Sequence, residues 1–287
     1  MKKLLLLILP LLLLTSCGSK PSQSQVEPEP MEVEPTAAYY KEDKTFYRDN
    51  QKIVGELYIP DNDQEVFPLL VLSHGFNNNM DNTRNDAITF TKAGYMTFIF
   101  DFIGGAQSKK SDGQITEMSV LTEASDLNIV IDELKKDERV VDDYIFVAGQ
   151  SQGGFVSTYI ACTREDVRGL IGFYPAYVLQ DDALKQYSKL EDVPDTYVSA
   201  IGIRVGKIYW QDATSFDIYE LMKDCEVPSL IIHGTADNIV PYNYAERAVE
   251  TLPNAELLTI PGAGHGFSGQ NNLTAMNRAI EFLNDNL

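Results

Sequence analysis

The sequence predicts an open α/β fold, a mostly parallel twisted sheet covered by helices, with a cap inserted late in the chain. Three observations predict it. From about residue 45, short apolar runs alternate with stretches of helical periodicity. Several of those runs, 69–73 and 144–148 among them, are almost continuously apolar, as parallel strands covered on both faces are. The rhythm then breaks once, over residues 176–225, a stretch carrying Tyr177, Tyr187, Tyr197, Tyr209, Trp210, Phe216 and Tyr219.

In chain order, 53–59 opens the sheet as an antiparallel strand, 69–73 follows, and 82–93 has the first helical period. The apolar run 95–101 is the next strand and 119–136 the next helix. Strand 144–148 leads directly into helix 152–162, and 170–174 is the last strand before the cap. Beyond the cap come strand 229–233, helix 241–252, strand 256–260 and helix 271–285, the last opened by Gln270, Asn271 and Asn272. The folded domain is therefore expected over 45–287, with its cap at 176–225. A chain of 287 residues with 44% hydrophobic side chains has the material for such a core.

Ahead of the domain, Lys2 and Lys3 form a basic start, and residues 4–14 are an apolar run interrupted only by Pro10. Eleven residues are too few to span a bilayer but suit a secretory signal. The run ends at Leu14-Thr15-Ser16-Cys17-Gly18, which resembles a bacterial lipobox. That resemblance implies a signal peptide over 1–16 and a diacylglycerol chain pair on Cys17, enough buried CH₂ for a stable membrane anchor in the cell envelope. Residues 17–44, rich in Pro, Ser, Gln and Glu, are expected to be a disordered tether. With 23 Lys and Arg against 42 Asp and Glu, and a formal charge of -19, the chain lacks the basic face that a nucleic-acid partner needs.

The chemistry centres on Tyr144-Ile145-Phe146-Val147-Ala148-Gly149-Gln150-Ser151-Gln152-Gly153-Gly154. A hydrophobic strand runs into G-x-S-x-G and then into a helix. The serine must project from a tight turn, and Gly149 and Gly153 keep side chains out of that turn. The helix that follows aims its N-terminus at developing negative charge. A serine hydroxyl needs a base, and the chain holds three histidines. His265 lies in Gly262-Ala263-Gly264-His265-Gly266-Phe267, after the last strand, and the order nucleophile, acid, base selects it. His233, at the end of its strand, is expected to be a buried supporting histidine, and His74 to shape the loop His74-Gly75-Phe76. Asp237, in the loop after strand 229–233, is the candidate that orients the imidazole. The oxyanion donors are expected to be the backbone amides of Gln152 and Phe76.

Other features read as bland. Gly104-Gly105 and Asp112-Gly113 lack the spacing of a dinucleotide fingerprint. Cys162 and Cys225 are expected as buried small residues rather than a disulfide pair. The pairs Asp142/Asp143 and Asp181/Asp182 read as solvated surface with no metal-ligand set around them.

On these residues the chain resembles the α/β-hydrolase superfamily and, within it, the cinnamoyl or feruloyl esterase-like serine esterases. The resemblance runs from about residue 50 to the C-terminus. It rests on the nucleophile turn, on His74-Gly75-Phe76 and on Asp101-Phe102-Ile103-Gly104-Gly105-Ala106-Gln107-Ser108. Asp112-Gly113, Met118-Ser119-Val120, Glu123, His233-Gly234-Thr235 with Asp237, and His265 with Phe267-Ser268 complete it. It implies a triad of Ser151, Asp237 and His265, oxyanion donors at Phe76 and Gln152, and a cap over the acyl pocket. The family commonly has histidine directly before the nucleophile, where this chain has Gln150, and the cap departs from the family's sequence. The expected function is a serine carboxylic ester hydrolase, without cofactor or metal, acting on a small-molecule ester of a hydroxycinnamoyl or other short or aryl acyl group. A serine peptidase of the same fold and a non-catalytic surface-binding lipoprotein are the alternatives.

Overall fold

The computed structural model describes residues 31–287. The expected signal peptide at 1–16, Cys17 and the tether as far as residue 30 lie outside the described residues. Eight strands form the central sheet in the order β1-β2-β4-β3-β5-β6-β9-β10. The hairpin β1 (Tyr39–Arg48) and β2 (Gln51–Pro60) sits at one edge, and β2 joins β4 (Met96–Phe100) in antiparallel register. From β4 onward the neighbours β3 (Phe67–Ser73), β5 (Val140–Gln150), β6 (Gly169–Phe173), β9 (Ser229–Gly234) and β10 (Ala255–Ile260) are all parallel. The continuous apolar runs have the reason expected of them: β3, β4, β6 and β9 are buried at every residue.

Two apolar layers cover the sheet. One packs α2 (Val120–Leu134), α3 (Gln152–Thr163) and α7 (Asn243–Thr251) against Leu69, Val71, Phe98, Val147 and Ile231. The other packs α1 (Arg84–Lys92) and α8 (Gly269–Asp285) against Leu70, Leu72, Phe146, Ile171 and Ile232. Between β6 and β9 the chain departs into α4 (Leu179–Gln186), a two-stranded hairpin of β7 (Thr196–Val198) and β8 (Arg204–Gly206), α5 (Lys207–Ala213) and α6 (Ile218–Met222). This insertion has its own apolar cluster, built on Val193, Tyr197, Val205, Tyr209 and Trp210. Among the described residues no helix is long and apolar enough to cross a membrane.

Two expectations need correction. The tether expected over 17–44 overlaps a strand: Tyr39–Arg48 pairs along its whole length with β2. Residues 31–38 also lie against the domain: the Thr36 amide donates to the Lys92 carbonyl at 2.8 Å, and Met31 and Val33 pack on the core. The charged residues of Tyr39–Arg48 conceal an edge strand, which exposes one face and so tolerates Lys and Glu there. Cys162 and Cys225, in turn, are joined in a disulfide that ties the end of α3 to the segment before β9. They stand 63 positions apart with Cα atoms 4.8 Å from one another, a proximity that the fold creates and no local pattern announces.

Candidate active site

The parallel strands end together along one edge of the sheet, the place where open α/β folds assemble their sites. His74 follows β3, Ser151 follows β5, Tyr174 follows β6, Asp237 lies just beyond β9, and His265 follows β10. Strand β5 stops at Gln150 and α3 starts at Gln152, so Ser151 alone makes the turn, at φ 52° and ψ -116°. Positive φ is strained for a residue with a side chain, and here the strain lifts the hydroxyl clear of the sheet. The flanking glycines are required by contact. A Cβ on Gly149 would lie 2.2 Å from the Gly153 carbonyl oxygen, and one on Gly153 would lie 2.4 Å from the His74 carbonyl oxygen.

His265 Nε2 is 3.0 Å from Ser151 Oγ, and its Nδ1 is 2.8 Å from Asp237 Oδ2. An ionised carboxylate only accepts, so Nδ1 carries the proton and Nε2 is free to accept from the serine hydroxyl. The Tyr174 ring meets the imidazole edge-on at 4.8 Å, which fixes the plane of a side chain that otherwise sits on a glycine-rich loop. Asp237 has a fully buried side chain. Its Oδ1 accepts from the Ile239 and Val240 amides at 2.8 and 2.9 Å. Burial pushes the Asp237 carboxyl up, but donation from His233, His265 and the Val240 amide outweighs it and holds the carboxyl well below the usual range. The charge needed to steady a protonated His265 is therefore permanently in place.

The two remaining histidines do not face Ser151. His233 is fully buried; its Nε2 donates to the Val240 carbonyl at 2.9 Å and lies 3.2 Å from Asp237 Oδ2. It thus grips both ends of the 237–240 turn. His74 is buried too, with Nδ1 donating to the Gly75 carbonyl at 2.8 Å and Nε2 accepting from the Phe102 amide at 3.3 Å. Burial pushes its pKa down, against the Gly75 carbonyl and Asp101, so it remains a neutral brace. The loop it braces carries Gly75 so close to the turn at Ser151 that a Cβ there would lie 3.2 Å from Ser151 Cβ. Phe76 follows, and among the described residues neither the Phe76 amide nor the Gln152 amide donates to a protein acceptor.

A mainly apolar pocket opens at Ser151. The sheet edge supplies Phe76, Gln152, Ile239 and Val240; the insertion supplies Val178, Leu179, Ala183, Tyr197, Ile201 and Tyr209. Asp182 and Gln186, from α4, add polar groups to its wall, so Asp182 is not the plain surface residue that its sequence context suggests. His265 also lines a more polar cleft, together with Asn78, Asn82, Asn85, Asp86, Gln150 and Asn272. Here Gln150, the departure noted before the nucleophile, donates to Asp86 Oδ2 at 2.9 Å. Sequence reasoning missed Asp86, Asp182 and Gln186, and it treated Tyr209 only as part of the cap's aromatic supply. Each sits on a helix face that one sequence cannot orient.

The family described as serine aminopeptidase, S33 matches residues 64–205, and the family described as TAP-like protein matches 208–286. Among solved structures, Est1E from Butyrivibrio proteoclasticus with ferulic acid bound is 26% identical, covers 85% of this chain and 98% of its own, and superposes with a TM-score of 0.77. An esterase from Pyrococcus furiosus, Pf2001, shares the fold at 20% identity and a TM-score of 0.63, with 86% and 92% coverage. Among curated relatives, esterase LipC of Mycobacterium tuberculosis is 28% identical over 144 residues, 44% of this chain and 35% of that protein. The bifunctional esterase/perhydrolase DCH of Acinetobacter calcoaceticus is 39% identical over 51 residues, 17% of this chain and 18% of that protein. The chain thus spans about a third or less of the length of these curated relatives. By the two consecutive family matches and by its strand order, the chain has the α/β-hydrolase fold.

Proposed function

We propose that this protein is a serine-dependent carboxylic ester hydrolase whose acyl pocket favours aryl and hydroxycinnamoyl groups. The observation that carries the reading is the unbroken hydrogen-bond relay Ser151–His265–Asp237 at the mouth of an apolar pocket. His265 takes the Ser151 proton as the oxygen attacks the ester carbonyl, and Asp237 stabilises the resulting imidazolium. The amides of Phe76 and Gln152 receive the oxyanion. His265 then returns the proton to the departing alkoxide, and water deprotonated by the same histidine releases the acid. The acyl group fills the pocket under the insertion while the alcohol leaves toward the amide-lined cleft.

The similarity to Est1E, solved with ferulic acid, supports the aromatic preference, as do Tyr197 and Tyr209 in the pocket wall. A stacked aromatic contact adds about 0.5–1.5 kcal/mol beyond area burial. One contact that persists in the transition state raises kcat/KM by roughly two- to twelvefold. Methyl ferulate should therefore exceed a matched saturated methyl ester by that factor, and Tyr197→Ala should shrink the ratio without an equal loss on an acetate ester. Equal rates for both acyl groups would leave a general carboxylesterase. The match to a family described as serine aminopeptidase favours a second reading, a peptidase. Turnover of aminoacyl anilides in the same panel, with no ester preferred over them, would replace the esterase reading.

The lipid anchor on Cys17 is part of the same proposal and is supported by the sequence of residues 2–18. The Cys162–Cys225 disulfide adds support, since such bonds persist in oxidising compartments outside the cytoplasm. Cys17→Ser should abolish lipid labelling and move the protein out of the membrane fraction. An N-terminal peptide without lipid, by mass, would refute the anchor.

A further inference from the structure

Gln152 enters the proposed mechanism only through its backbone amide, yet its side chain is held at both ends. It is fully buried. Nε2 donates to Glu123 Oε2 at 2.8 Å and also reaches Met118 Sδ at 3.5 Å. Oε1 accepts from the Tyr209 hydroxyl at 2.7 Å. Glu123 belongs to α2 and is buried; Tyr209 belongs to α5 of the insertion and is buried as well. The Tyr209 ring also lies 5.4 Å from that of Phe76, the residue whose amide is the second proposed oxyanion donor. A second tie runs alongside, from the Ser119 hydroxyl at the start of α2 to Asp212 on α5.

Stability alone does not ask for this arrangement. Leucine-sized side chains at 123 and 152 would fill the same volume without desolvating two polar groups and a carboxyl. What a polar chain adds is direction: a carboxamide bonded at both ends has one rotamer, whereas an apolar side chain slides. Because Gln152 is the first residue of α3, fixing its side chain fixes the peptide plane that faces Ser151. Burial pushes the Glu123 carboxyl well above its ordinary range, with Asp126 adding to the effect and Gln152 opposing it. Glutamine, which keeps an oxygen that can accept from Gln152 Nε2, is the natural stand-in for Glu123.

We propose that Tyr209 and Glu123 are positioning residues for the oxyanion hole: they clamp the Gln152 carboxamide between the insertion and α2, so that the insertion completes the reaction machinery as well as walling the pocket. The proposal rests on the esterase reading above. Removing an oxyanion donor outright costs about 10²–10³-fold in kcat; releasing one from its brace forfeits part of that, about tenfold.

The test uses the full chain with 4-nitrophenyl acetate, whose two-carbon acyl group needs little from the pocket, and a trifluoromethyl ketone, which forms a tetrahedral adduct at the serine. Tyr209→Phe keeps the ring and removes only the hydroxyl. It should lower kcat about tenfold, leave KM within about twofold, and weaken the ketone by the same tenfold factor. Glu123→Leu should behave alike, while Glu123→Gln, which keeps an acceptor for Nε2, should retain most of kcat and of the ketone affinity. Thermal melting of each variant separates these effects from unfolding, and Tyr209→Phe keeps the test alive should Glu123→Leu fail to fold. An active wild type whose Tyr209→Phe variant retains kcat and ketone affinity within twofold would overturn this proposal and leave the esterase reading standing. So would a loss confined to KM, or a Glu123→Gln variant as impaired as Glu123→Leu. A wild type inactive on every ester would overturn both.

Discussion

Ester turnover by a Ser151→Ala variant is expected to fall by about 10⁴-fold or more, because loss of a nucleophile that works as a unit with its base costs up to about 10⁶ in kcat. The fold should survive. Ser151 is strained at φ 52°, and its side chain bonds to no residue except His265 among the described residues. Alanine keeps the same backbone demand and removes one partly buried hydroxyl, so the melting temperature should move by no more than a few degrees. A fluorophosphonate probe should label wild type at Ser151 alone and leave the variant unlabelled. The discriminating measurement is kcat/KM on one aryl ester together with peptide mapping of the probe. Labelling at a different serine, or turnover within tenfold of wild type, would sink the mechanism. Turnover lost with ligand binding intact is what the esterase predicts, whereas wild-type protein that binds esters without cleaving them would point to a surface-binding role.

Asp237→Asn is expected to cost about 10⁴-fold in kcat while preserving the shape of the site. Asparagine at this position can turn its amide toward His265 Nδ1, which then becomes the acceptor and leaves the proton on the nitrogen that must take one from Ser151. The pH dependence follows from the direction of the Asp237 shift. Its folded-state pKa lies below the ordinary 3.8, so the carboxylate is charged throughout the neutral and mildly acidic range. The stability that it contributes is complete above the unfolded value and is lost as pH falls through the folded one. Because wild type carries this charge across that range, Asp237→Asn should be impaired both at pH 6 and at pH 9. His233→Ala is the control. It removes the grip on the Val240 carbonyl and on Asp237 without touching Ser151, and should cost roughly tenfold in kcat together with a lowered melting temperature. A folded His233→Ala more impaired than His265→Ala would exchange the two assignments.

The order of elements and the strand-to-helix turn at Ser151 were legible because they are written locally. Continuous apolar runs demand burial on both faces, and G-x-S-x-G demands its glycines for contacts within the turn: 2.2 Å between a Cβ at 149 and the carbonyl oxygen of 153 leaves no other choice. His265 could be singled out for a different reason, scarcity, since three histidines and a fixed chain order leave one candidate base, whereas Asp237 was singled out by its place in the loop after a strand. Tyr39–Arg48 was not legible, since an edge strand with one exposed face can carry charges that read as tether.

What only the tertiary structure decided is the set of relations between distant segments. Cys162 meets Cys225, Tyr209 meets Gln152, Gln150 meets Asp86, and α4 turns Asp182 and Gln186 into the pocket wall. In each case the partners lie tens of residues apart, on helix faces or loop ends whose direction is set by packing against the sheet. The sequence by itself determined the strand-to-helix turn at Ser151, its glycines and the strands that carry the candidate site, because backbone sterics and burial act over a few neighbouring residues. The pocket at Ser151 and the contacts that hold the Gln152 side chain were decided by how the insertion docks on the sheet edge, a global packing solution that no local pattern encodes.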